Sequence, residues 1–193
     1  MRYVVEVVQA YGLCPWAHTP PATAAIFGAH PPVDAWVAAA EQLLAAGAEV
    51  AMVIAPEAAL DRRALAAIRD AVAARLPSAG VADFHPDAPL DLATPARAVP
   101  FLRRAPDPLL QLVPLAILDE VRARDAHGAP ELRDQARLLG GHDATSHAPI
   151  ADRIARANFA TLARDAAQLT AALAAIDEDR RAAYARAGIS ARR

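Results

Sequence analysis

Lysine is missing from this 193-residue chain, and all 20 of its basic residues are arginine. Set against 22 acidic residues they leave a formal net charge of -2, so no basic face points to nucleic acid. Cysteine is nearly as scarce. A lone Cys14 excludes an internal disulfide and leaves a structural zinc site short of thiolate ligands. Long apolar runs are also missing: nothing approaches the roughly 18 uninterrupted apolar residues of a membrane span. Near the start, Glu6 interrupts the apolar residues and no small-residue cleavage pattern follows, so no signal peptide is expected. The expected setting is a reducing cytoplasm, with Cys14 a free thiol or a ligand. Absent too are Gly-x-Gly-x-x-Gly, a Walker A loop, a Gly-x-Ser-x-Gly elbow and His-Glu-x-x-His, which disfavours nucleotide-driven chemistry, serine hydrolysis and zincin chemistry.

What is present is alanine, more than a quarter of the chain, within a composition that is 55% apolar. Alanine-rich, lysine-free composition is the mark of GC-rich codon usage, and the apolar content suits a globular protein. The length suits a single domain over 1–193, with an α/β core over about 1–125 and a helical part over about 150–190.

Val4, Val7, Val8 and Tyr11 follow helical spacing, and Gly12 is placed to end that helix. Ala24 to Phe27 reads as an edge strand. Asp34 is a candidate cap for a helix to about Ala46, with Trp36, Val37, Ala40, Leu43 and Leu44 on its apolar face. Glu49 to Ala55 gives the strongest strand signal, a short apolar run closed by Pro56. Asp61 starts a second helix with Leu65, Ile68, Val72 and Leu76 on one stripe, and Val81 to His85 reads as a third strand. This alternation predicts an α/β fold: a small, mostly parallel sheet of three or slightly more strands, packed with helices. Residues 86–108 read as a long proline-rich connection, 108–124 as a helix containing Pro114, 125–149 as a polar stretch and 150–187 as a helix.

Two short motifs carry the chemistry. In Leu13-Cys14-Pro15-Trp16-Ala17, Pro15 stiffens the turn after the first helix. The reactive form of Cys14 is a thiolate, which needs a neighbouring cation or metal, and a Cys-Pro pair is also compatible with axial haem ligation. In Phe84-His85-Pro86-Asp87, His85 falls at the C-terminal end of a strand, the edge where open α/β sheets bind ligands. Asp87 is positioned to orient the imidazole, or both side chains to bind a metal. Arg103 and Arg104 offer planar forks for a carboxylate or phosphate. His142 and His147 are five apart, which does not place them on one helical face, and His18, His30 and His127 lack partners in sequence. Asp177 to Arg181 reads as a solvated helix face.

These motifs, followed by Pro106-Asp107-Pro108-Leu109-Leu110 and by Asn158-Phe159-Ala160-Thr161-Leu162, resemble the bacterial DUF1415 proteins, a family of unknown function. The resemblance spans about residues 3–165 in scattered blocks. It departs where the family carries Arg-Ser-Pro-Tyr-Pro-Met-Leu-His: Arg104 persists, but Asp107 replaces the tyrosine and Gln111 the histidine. The resemblance implies a fold and a site without a reaction. Cys14, His85 and Asp87 are the candidate catalytic residues, with His85 and Cys14 also the candidate metal or haem ligands. Arg104, Gln111 and Trp16 are the candidate substrate contacts.

Three functions compete. The leading expectation is a small-molecule enzyme, an oxidoreductase holding haem or iron through His85 or Cys14. A second is metal-free thiol chemistry with Cys14 as nucleophile and His85 as base. A third is a non-catalytic binding or partner protein, with the long alanine-rich C-terminal helix a candidate dimer face.

Overall fold

The computed structural model describes residues 2–13, 21–126 and 150–189. The apolar run after Glu49 forms β2 (Ala51–Ile54). β1 (Ala22–Ala25) lies parallel beside it, and α1 (Val33–Ala45) makes the crossover between them. α2 (Arg62–Arg75) then leads to β3 (Ala79–Phe84). These three strands run in the same direction, as the alternating pattern predicts. β3, however, does not pair with β2. β4 (Leu109–Pro114) is inserted between them, antiparallel to both, giving a four-stranded sheet of order β1-β2-β4-β3. The sheet is therefore mixed rather than mostly parallel.

β4 is the main departure from the sequence expectation, which placed a helix over 108–124. A short apolar run fits a buried strand and a buried helix equally well by periodicity. Pro114 separates the two outcomes: inside a helix it would remove a hydrogen bond and clash with the preceding turn. Here it ends the strand, and α4 (Leu115–Ala126) begins directly after it. Leu109, Leu110 and Leu112 are all buried, because both faces of this central strand are covered.

Strand alternation sorts the core into two layers. On one face Val53, Leu110 and Leu112 pack with Trp36, Val37 and Ala40 of α1 and Leu65 and Val72 of α2. On the other, Met52 and Leu109 pack with Val4 and Val7 of the N-terminal helix (Val4–Gln9) and with Leu162, Leu169, Leu173 and Ile176 of α5 (Ile150–Ala187). Leu162, Leu169, Leu173 and Ile176 of α5 are thus buried within the chain's own core. No helix among the described residues is long and apolar enough to cross a membrane.

The local signals near helix ends mostly hold. The N-terminal helix closes with i to i+5 bonds, Ala10 N–H to the Val5 carbonyl at 3.1 Å being one. Gly12 adopts φ +61°, and the N–H groups of Gly12 and Leu13 return to the carbonyls of Gln9 and Val8 at 3.0 and 2.9 Å. Asp61 caps α2 by accepting from Ala64 N–H at 2.7 Å. Asp34 does not cap α1. It lies in the first turn and pairs with Arg75 of α2, while Pro32 occupies the cap position. The proline-rich connection also contains a helix, α3 (Pro95–Leu102), whose Thr94 cap accepts from Arg97 N–H at 3.2 Å. α3 packs on α5 and fixes the position of Arg103 to Ala105.

Candidate functional site

β3 ends at Phe84, so His85 occupies the strand-end position that the sequence predicts. Its backbone N–H donates to the Arg103 carbonyl at 2.9 Å, tying the strand end to the end of α3. The imidazole is buried, 2% exposed. Nε2 lies 2.9 Å from the Leu60 carbonyl, and Nδ1 accepts the Asp87 backbone N–H at 3.0 Å. A carbonyl can only accept and an amide can only donate, so the proton sits on Nε2 and the ring is neutral. Asp87 does help set the tautomer, but through its amide. Its carboxylate is exposed and stands 3.9 Å from Nδ1, beyond hydrogen-bond reach. The expected carboxylate–imidazole contact is therefore replaced by a tight turn in which His85 acts as Asn or Asp does in an Asx-turn. His85 can ligate a metal or take a proton only by giving up one of these two bonds.

Cys14 and Trp16 lie outside the described residues, as do His18, His127, His142 and His147. The described chain stops just short of Cys14 at Leu13, whose carbonyl accepts from Asn158 Nδ2 at 3.0 Å. That bond gives the Asn158-Phe159-Ala160-Thr161-Leu162 block a structural role: buried Asn158 anchors the segment that enters the cysteine motif. Among the described residues, no group of three or more His, Cys, Asp or Glu side chains could hold a metal ion.

A cavity of about 590 Å³ opens beside the His85 turn, between Pro86 and Asp87, Arg104 to Pro106, and α5 from Thr170 to Arg181. Arg104 lines it, with its guanidinium 5.9 Å from the centroid of the Phe101 ring. Among the described residues no carboxylate pairs with Arg104. The other two arginines of the lining are committed. Arg180 Nε lies 2.7 Å from Asp107 Oδ1 and its Nη1 2.9 Å from Asp177 Oδ1, while Arg181 Nε lies 3.1 Å from Asp177 Oδ2. Arg103 turns away toward Asp83, which Arg69 already holds at 2.6 Å.

Glu178, Asp179 and Arg181 are exposed, as the expectation of a solvated face over 177–181 has it, but Arg180 turns inward and forms a buried pair with Asp107. Both side chains are under one-tenth exposed, and Tyr184 completes the group by donating its hydroxyl to Asp107 Oδ2 at 2.8 Å. Burial, and then the adjacent Asp107 charge, push the Tyr184 hydroxyl pKa upward. No local pattern could have revealed this group, because Asp107 and Arg180 are 73 residues apart in sequence. Gln111 is placed differently from the expectation. It lies in the middle of β4, opposite Met52 and Ala82, on the face shared with Leu109, and it does not line the cavity.

No protein-family model, curated protein or solved structure matches the chain, so the resemblance to DUF1415 rests on its motifs alone.

Proposed function

We propose that this chain binds a small anionic molecule in the cavity lined by Arg104. The observation that carries the reading is the contrast among the three arginines of the lining. Arg180 and Arg181 are neutralised by Asp107 and Asp177, and only Arg104 faces the cavity without a carboxylate among the described residues. A guanidinium with this freedom, half-buried over an aromatic ring, is a ready fork for a ligand carboxylate or phosphate. The surroundings support the same reading. The cavity has the volume of an ordinary small-molecule site, and it lies at the C-terminal end of β3, with the His85 turn holding one wall and the Asp107–Arg180 pair the other.

Haem- or iron-dependent oxidation through His85, and thiol chemistry with His85 as base, both draw on an imidazole whose nitrogens are engaged. Anion binding at Arg104 requires no bond to open. The test is a ligand-observed NMR screen of small organic acids against the wild-type chain and an Arg104→Gln variant. Acids are expected to bind the wild type and to lose at least about tenfold in affinity on the variant, the scale of a charge-assisted bidentate contact. Acids that bind both proteins equally, or no binding to the wild type, would overturn the proposal.

A further inference from the structure

We infer that the ligand of this cavity is a monocarboxylic acid with an apolar body, and not a phosphate ester. The inference rests on the reading of Arg104 as the anchor and narrows it by counting charge. Asp87 and Asp177 also line the cavity, and Arg180 and Arg181 are already spent on Asp107 and Asp177. Among the described residues, one uncommitted positive charge therefore faces the ligand. A carboxylate brings one negative charge, and its two oxygens match the guanidinium fork. A phosphate monoester brings about -1.5 to -2 at neutral pH. Its excess charge would meet no second uncommitted cation among the described residues of the lining.

Donor supply points the same way. Phosphate sites offer several N–H or O–H groups, commonly at a glycine-rich turn or a helix N-terminus. Here the lining lies along the C-terminal half of α5, and the Thr170 hydroxyl donates to its own helix at Ala166 O, 2.7 Å away. The rest of the described lining is apolar: Pro86, Ala105, Pro106, Leu173 and Ala174 present hydrocarbon to whatever the carboxylate carries. One ionic anchor and an apolar wall suit an amphiphilic acid, with the headgroup fixing orientation and the body supplying buried area.

The experiment uses three probes with one body and three headgroups: 3-phenylpropionate, 3-phenylpropionamide and 2-phenylethyl phosphate. Titration calorimetry is run on the wild type, Arg104→Gln and Ala174→Trp, which fills the cavity, with circular dichroism confirming that each is folded. The wild type is expected to bind the carboxylate at least about tenfold more tightly than the amide or the phosphate. Arg104→Gln should erase that preference and leave the amide unchanged. If the phosphate binds as tightly as the carboxylate and Arg104→Gln weakens both, the anchor stands and the ligand class is wrong. If no probe binds the wild type, or if neither Arg104→Gln nor Ala174→Trp alters binding, the cavity reading falls and the ligand class falls with it.

Discussion

The Nε2 of His85 lies 2.9 Å from the carbonyl of Leu60, joining the end of β3 to the loop that follows β2. With the Asp87 amide on Nδ1, the buried ring holds together two chain segments distant in sequence. His85→Ala would remove both of these contacts from a buried site and open a cavity. A loss of about 3 kcal/mol in unfolding free energy is expected. His85→Gln keeps a donor within reach of Leu60, and His85→Asn keeps an acceptor for the Asp87 amide, so each should recover part of the loss. Urea denaturation of the three variants measures this. A loss below about 1 kcal/mol for His85→Ala would show that the ring holds little together.

The Asp107–Arg180 pair is buried, so removing one partner is worse than removing both. Asp107→Ala leaves Arg180 with the half-exposed Asp177 as its carboxylate partner among the described residues, at an expected cost of about 3 kcal/mol. The double variant Asp107→Leu/Arg180→Met should cost clearly less than the sum of its single changes. A double-mutant cycle by chemical denaturation gives the coupling, and a value near zero would mean that the two side chains act independently.

Tyr184 adds a pH dependence to the same group. Its folded pKa is raised, chiefly by burial and then by Asp107, while in the unfolded chain a tyrosine titrates near pH 10. Below about pH 10 both states keep the proton and the contribution to stability is constant. Above it the unfolded chain releases the proton and the folded chain retains it, so stability falls as pH rises. Tyr184→Phe should be less stable than the wild type at pH 8 by about 1.5–3 kcal/mol, the value of a hydrogen bond to a charged acceptor. The difference should shrink above about pH 10. Thermal melts of both proteins between pH 8 and 11 test this, and a gap that widens with pH would contradict the assigned direction.

Features encoded over a few residues were legible in the sequence: the Gly12 terminus, the Asp61 cap, β2, and the strand-end position of His85. Each is fixed by turn chemistry or by apolar periodicity. What depended on distant partners was not legible. The imidazole of His85 meets a carbonyl 25 residues earlier, and Asp107 meets Arg180 and Tyr184 on the last helix. Composition cannot reveal such pairs, because Asp177 to Arg181 looks like an exposed charge run until its register on α5 turns Arg180 inward. Arg104 was recognisable as a binding residue only by type. Its freedom from any carboxylate among the described residues emerges once Asp83, Asp107 and Asp177 are seen to be taken by Arg69, Arg180 and Arg181.

β4 makes the sharpest stability prediction, because a helix and a strand over the same leucines bury different residues. In the strand, Leu110 is 1% exposed against α1 and α2, and Leu115, just past Pro114, is 37% exposed. A continuous helix from Pro108 would give Leu109, Leu112, Val113 and Ala116 the inward face and leave Leu110 outside it. Leu110→Ala is therefore expected to cost about 2–5 kcal/mol, the range for a fully buried leucine, and Leu115→Ala less than about 1 kcal/mol. Denaturant unfolding of the two variants separates the two arrangements directly. A mild Leu110→Ala would mean that this segment does not run through the centre of the sheet, and the antiparallel pairing with β2 and β3 would have to be abandoned.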